Sequence, residues 1–269
     1  MKWIIHPLVL GWIEVPKNLL TAGLDAGLQI RIPYLGFFLT NGKARIMVDN
    51  GINSRYIVDG RAWAGMPTEG GEDCITSEFN RLKIDPAEIS TVIYTHLHND
   101  HAGNAHLFPN ATHVFQHEEW RELVDPLPSM KIRGDYDQSV IEVFKNLTCQ
   151  RVVGDVEYED GIHLLLTPGH TAGSQCIAVE TEAGKYLLAG DTIHIRHIAY
   201  GYLREMEMMD GARISVTPAP KEWDEIAHSS LVYDHYAWYK SIFRIRSIFK
   251  DPHYVLTGHG PYLVNKVFG

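Results

Sequence analysis

Thr95-His96-Leu97-His98-Asn99-Asp100-His101 places four metal-competent side chains within six positions, directly after the apolar, β-branched run Thr91-Val92-Ile93-Tyr94. A short run of that kind reads as a buried strand. A loop leaving a strand end can turn alternate side chains toward one point, and imidazole and carboxylate are the ligands that borderline divalent metals take. Three histidines and an aspartate crowded there without a metal would leave polar groups and charges uncompensated. The segment therefore reads as a metal-binding loop.

Three further segments repeat the device. Pro168-Gly169-His170, Gly190-Asp191-Thr192 and Gly258-His259-Gly260 each follow an apolar strand and present a ligand beside a glycine, where the backbone bends tightly. Of the 15 histidines, His6, His106, His113, His117, His163, His228, His235 and His253 lie outside these segments and read as structural or surface residues.

Working outward, residues 29–40 and 44–49 read as strands joined at Asn41-Gly42, a strong hairpin signal. A Gly- and Pro-containing stretch, 60–73, precedes a helical pattern over 74–82 and a second helix start at Asp85-Pro86. A loop after the histidine cluster leads to a strand at 112–116. Helical patterning follows from Glu118 and over 139–146, then strands at 162–167, 175–180 and 185–189. A helical pattern over 223–249 and a strand at 254–257 close the chain. Two strand-rich halves, each flanked by helices, predict an α/β sandwich with helices outside, a single domain over residues 1–269.

Composition limits the partners. The 269 residues are 45% hydrophobic, enough for a full core, and 33 acidic against 24 basic residues give a formal charge of −9. The basic residues are scattered, which argues against nucleic acid, because phosphate binding needs a concentrated positive surface. Cys74, Cys149 and Cys176 form no CxxC pair, so neither a disulfide framework nor a thiolate zinc site is indicated and a reducing, cytoplasmic setting is expected. The apolar amino terminus is interrupted by His6-Pro7, Gly11 and Glu14 and reads as a first strand rather than a signal peptide. No run reaches the ~18 apolar residues of a membrane span, so no membrane partner is expected.

The HxHxDH signature followed by separate His, Asp and His ligands resembles the metallo-β-lactamase superfamily. The resemblance implies an αββα sandwich with two metal ions at one edge between the sheets. It assigns His96, His98 and His170 to the first metal and Asp100, His101 and His259 to the second, with Asp191 bridging. Asp49, in Val48-Asp49-Asn50-Gly51, stands where the family has an Asp-Thr-Gly turn whose aspartate supports a ligand histidine; Asn50 replaces the threonine. Two Zn2+ are the default, and an all-N/O ligand set also accepts Fe, Mn or Co. Paired metals imply hydrolysis by a metal-bridging hydroxide, with Asp100 as the proton shuttle to the leaving group.

Within the superfamily, His98 separates this chain from flavodiiron reductases, which carry glutamate there. Thr95 to Asn104, Leu166-Thr167-Pro168-Gly169-His170-Thr171-Ala172-Gly173, Val153-Gly154-Asp155 and Gly161-Ile162-His163 resemble the quorum-quenching N-acyl homoserine lactonases. This implies a small-molecule lactone or ester substrate and leaves a homo-oligomer open. In those lactonases a tyrosine three residues after the bridging aspartate binds the lactone carbonyl; here the position is His194, whose imidazole can donate the same bond. Tyr200 and Tyr202 are alternative phenols. The segment 197–220 reads as an insertion at the active-site edge, either a substrate lid or a surface flap. Two other functions stay in view. A thioester hydrolase resembling hydroxyacylglutathione hydrolase needs carboxyl-terminal basic residues, of which the tail offers Lys266. A non-catalytic metal-binding module needs a blocked site.

Overall fold

The computed structural model describes residues 2–269. Eight strands form the first sheet: β1 (Ile4–Pro16), β2 (Gln29–Thr40), β3 (Arg45–Val48), β4 (Arg61–Ala62), β5 (Met66–Gly70), β6 (Thr91–Ile93), β7 (Thr112–Gln116) and β8 (Thr148–Val152), in the order β4-β5-β1-β2-β3-β6-β7-β8. The second sheet takes β9 (Val156–Glu159), β10 (Ile162–Leu166), β11 (Gln175–Thr181), β12 (Gly184–Leu188) and a last strand, Val255–Leu256, which pairs in parallel with β12. A separate hairpin, β13 (Glu205–Glu207) and β14 (Arg213–Ser215), stands apart from both, so the last strand is β15.

The period-2 pattern of the strands builds the layers. Phe37, Ile46, Val48, Ile93 and Val114 of the first sheet share one core with Leu164, Ile177, Val179 and Leu188 of the second. Their strand neighbours Phe38, Met47, Val92, Phe115, Ala178 and Leu187 belong to another core, together with Phe79, Phe144, Trp238 and Ile242 from helices. A strand buried on both faces with alternate residues feeding different cores is what places helices outside two packed sheets. The αββα sandwich expected from the sequence is the observed fold.

Differences lie in the shorter elements. Residues 60–73 contain β4 and β5, and β8 and β9 are strands without a strong alternating signal. The loop expected after the histidine cluster holds the short helix Asn99–Ala102, and Pro128–Arg133 is a further helix. The helix expected over 223–249 begins only at His235 and runs to Ile248, with the Asp234 side chain accepting from the Ala237 N–H as its amino-terminal cap. Before it, Asp224 and Glu225 adopt left-handed φ of 53° and 55°. Backbone groups there pair with distant partners instead of a helical ladder: Gly201 N with Glu225 O, Ala227 N with Ile198 O, Ser230 N with Leu19 O. No helix among the described residues is long and apolar enough to cross a membrane.

Both sheets point the same way at the site. Asp49 follows β3, the 95–101 loop follows β6, His170 follows β10, Asp191 follows β12 and His259 follows β15, so five carboxyl-terminal strand ends meet at one edge. Two glycines permit the approach. Gly169, at φ +138°, leaves no room for a Cβ, which would sit 2.4 Å from Trp238 Cα, and a Cβ on Gly258 would sit 2.6 Å from Asp191 Oδ1.

Candidate metal centre

His96, His98 and His170 converge in one group, and Asp100, His101, Asp191 and His259 in a second; within each, the ligand atoms lie within 4.8 Å of one another. Asp191 spans the two. Its Oδ1 lies 3.0 Å from His259 Nε2 and 3.4 Å from His101 Nε2, while its Oδ2 lies 3.5 Å from His170 Nε2. Asp100 Oδ2 stands 3.6 Å from both His101 Nε2 and His259 Nε2. In the first group His98 presents Nδ1, 3.1 Å from His170 Nε2. All seven residues are buried.

Neighbouring acceptors fix the tautomers. His101 Nδ1 donates to Asp49 Oδ2 at 2.8 Å, and Asp49 also accepts from Thr95 N at 2.8 Å and Thr95 Oγ1 at 2.7 Å. His170 Nδ1 donates to Leu231 O at 2.6 Å, and His259 Nδ1 to Pro33 O at 2.8 Å. A carbonyl or carboxylate oxygen can only accept, so each ring carries its proton outward and its Nε2 lone pair faces the cluster. Asn50 fills the place of the family threonine by donating to Tyr94 Oη at 3.0 Å and accepting from Asn104 N at 2.8 Å.

The electrostatics favour metal-ready ligands. Burial, with neighbouring imidazoles, holds His96 and His98 far below the usual histidine range, and burial pushes His170 down to about 3. Burial raises Asp191, but His194, His259 and His101 outweigh it and keep its carboxyl well below the usual range. Burial likewise raises Asp100, with Asp191 adding to the shift. Nε2 of His96, Nε2 of His101 and Oδ1 of Asp191 are buried with no hydrogen-bond partner. Each such orphan costs about 1–3 kcal/mol in an ordinary interior. Unpartnered lone pairs aimed inward, in an all-N/O set, fit borderline divalent cations.

His194 is buried and joins this edge. Its Nε2 lies 3.1 Å from Asp191 Oδ2 without hydrogen-bond geometry, and neither ring nitrogen has a hydrogen-bond partner. The ring stands 5.1 Å from His170 and stacks on His259 at 5.7 Å. The alternative phenols fall away: Tyr200 Oη donates to Phe249 O, Tyr202 is turned outward, and neither lines the cavity. The 197–220 segment also contributes nothing to the cavity wall, which favours the surface flap over the substrate lid. It is tied to the body instead, by Gly201 N to Glu225 O, by Ala227 N to Ile198 O, and by Thr217 N and Oγ1 to Asp25.

A cavity of about 770 Å³ opens onto the cluster, with His98, Asp100, His170, Asp191, His194 and His259 among its lining residues. Its walls are apolar and come from Ile13, Val15, Leu19, Leu20, Ile32, Trp63, Met66 and Ile132, with Tyr34 and Arg133 beside them. Sequence reasoning missed all of these, because in sequence the apolar ones are indistinguishable from core residues and Arg133 from a surface charge. Tyr34 is the phenol at the site, yet its Oη pairs with Thr68 Oγ1 at 2.9 Å, and its ring meets His259 edge-on at 6.0 Å.

Comparison with known proteins places this geometry. The profile of the metallo-beta-lactamase superfamily matches residues 35–259, a span that holds every ligand candidate. An N-acyl homoserine lactonase of Bacillus cereus is 28% identical over 194 residues, covering 69% of this chain and 74% of that protein. The N-acyl homoserine lactonase AttM of Azorhizobium caulinodans is 30% identical over 188 residues, 64% of this chain and 68% of its own. Among solved structures, an N-acyl homoserine lactone hydrolase with N-hexanoyl-L-homoserine bound at its metal centre superposes with a TM-score of 0.74 at 21% identity, covering 96% of this chain and 94% of that one. The dizinc quorum-quenching lactonase AidC gives 0.69 at 15% identity, covering 96% and 87%. At those identities the superpositions speak for the fold.

Proposed function

The chain belongs to the metallo-β-lactamase superfamily, and from that premise we propose that it is a dinuclear metal-dependent hydrolase opening the lactone ring of N-acyl homoserine lactone-like substrates, with residues 1–269 acting as one catalytic unit. The observation that carries this reading is Asp191, whose two carboxylate oxygens face different ligand groups. His96, His98 and His170 would hold the first ion, Asp100, His101 and His259 the second, and Asp191 both; zinc is the default. Two such ions, when bound, supply a water that is nucleophilic at neutral pH and polarise a carbonyl.

The chain's own residues then order the reaction. The apolar wall from Ile13 to Leu20 and Trp63 takes the acyl chain and holds the ring over the cluster. His194, with free ring nitrogens, donates to the substrate carbonyl and steadies the charge that develops on its oxygen. Asp100 is the proton carrier: its carboxylate takes a proton from the attacking water and passes it to the departing alkoxide. Three free thiols fit a reducing compartment, so the cytoplasm is the proposed setting, with quorum quenching as the biological consequence. The thioester alternative asks for clustered cations, and Arg133 alone provides one at the cavity wall.

A panel of acyl homoserine lactones, aryl esters and thioesters, assayed by acid release on metal-replete protein, tests the reading. Lactones should be opened best, and acyl-chain length should matter because the wall is apolar. Thioester cleavage without lactone opening would overturn it. Asp100→Asn should depress turnover more than substrate affinity, since the amide keeps the shape and loses the proton-accepting charge. Unchanged turnover at full metal content would remove Asp100 from that role.

A further inference from the structure

Helix His117–Val124 turns a glutamate inward: Glu119 is fully buried, on the same face as Leu123. Its carboxylate gathers donors from three segments. Oε2 accepts from Leu97 N at 2.8 Å and from Tyr136 Oη at 3.3 Å; Oε1 accepts from Gly173 N at 3.0 Å and from the Thr171 hydroxyl. Leu97 lies between His96 and His98, on the loop that leaves the first sheet. Thr171 and Gly173 follow His170, on the loop that leaves the second. One carboxylate thus joins the two loops that supply the three-histidine group.

The neighbours extend the link. Glu122 accepts from Ala172 N at 3.0 Å and shares the single Tyr136 phenol proton with Glu119, its Oε2 lying 3.0 Å from Tyr136 Oη, and the Tyr136 ring meets His98 edge-on at 4.7 Å. The contrast with the other imidazoles matters here. His101, His170 and His259 are each held through Nδ1 by an oxygen acceptor, but His98 Nε2 has no partner. His98 is therefore aimed by its backbone and by the Tyr136 ring, and Glu119 grips both.

From this geometry we infer that Glu119 is a positioning residue for the three-histidine metal site, setting the separation of His96 and His98 from His170. The inference rests on the dinuclear reading above. Glu119→Gln tests it, because the amide keeps its size and an acceptor for Leu97 N–H but turns an NH2 toward one of the other donors. Cobalt(II) is titrated into metal-free protein against a chromophoric chelator in two backgrounds: His259→Ala, which keeps the three-histidine group intact, and His96→Ala, which keeps the other. Glu119→Gln should weaken cobalt binding by about 10–100-fold in the first background, the scale of losing an outer support, and stay within about twofold in the second. Tyr136→Phe, which keeps the ring on His98 and loses the phenol link, should move in the same direction by about 10-fold and carries the comparison if Glu119→Gln does not fold. Unchanged affinity in the first background, or equal losses in both together with a lower Tm of the metal-free protein, would make Glu119 a general stabiliser and overturn the inference. Failure of the parent proteins to take up cobalt at all would instead overturn the metal reading itself.

Discussion

Stripping metal with a chelator is expected to remove hydrolytic activity by at least about three orders of magnitude, since the nucleophile and the carbonyl polarisation both depend on the ions. Elemental analysis beforehand should give near two equivalents per chain. Activity should return as metal is added back, together with thermal stability. The reason lies in the orphaned atoms: without cations, Nε2 of His96 and His101 and Oδ1 of Asp191 stay buried and unpartnered. Burial lowers His101, yet the carboxylates of Asp100, Asp191 and Asp49 draw it well above the usual histidine range, a sign of the negative potential that a cation would meet here. A ligand at about a thousand times its Kd stabilises by about 4 kcal/mol, which corresponds to roughly 10 °C in Tm for a domain of this size. Full activity at one equivalent or fewer, with no gain on titration, would sink the dinuclear reading.

His194→Ala should lower turnover by about 10–1000-fold with metal content intact, the scale of losing one oxyanion donor. His194 is the residue at the cavity with two free ring nitrogens, and stacking on His259 at 5.7 Å holds its plane. His194→Tyr discriminates further. A phenol restores a donor at the position where the resemblance to the lactonases implies one, so activity on acyl homoserine lactones should be kept or raised. If both variants match the parent on every accepted substrate with metal retained, His194 has no catalytic role and the carbonyl is held by metal alone. If His194→Ala loses metal in proportion to turnover, the residue acts through the ions, in keeping with its convergence on His170 and Asp191.

The sequence by itself singled out the candidate ligands that the fold brings together and determined the layered fold, because both are written in local patterns. A strand followed by His-x-His-x-Asp-His needs no distant information to be recognised, and strict alternation such as Phe37 against Phe38 already assigns neighbouring side chains to different faces. Asn41-Gly42 set the hairpin in the same way. The reading of 223–249 as one helix failed because the apolar periodicity there is overridden by backbone pairing with residues far away, such as Ser230 with Leu19. Of the two readings of 197–220, the substrate lid gives way to the surface flap for the same kind of reason: Thr217 is bound to Asp25, 192 residues away. Only the tertiary structure decided which oxygen of Asp191 faces which histidine, that Tyr200 spends its hydroxyl on Phe249, that the amino-terminal strand walls the cavity, and that Glu119 is buried between two loops. These depend on the direction of side chains across sheets, and direction is fixed by packing between segments with no sequence relation. His259 shows the distance involved: its tautomer is set by the carbonyl of Pro33, 226 residues earlier, which no local pattern can encode.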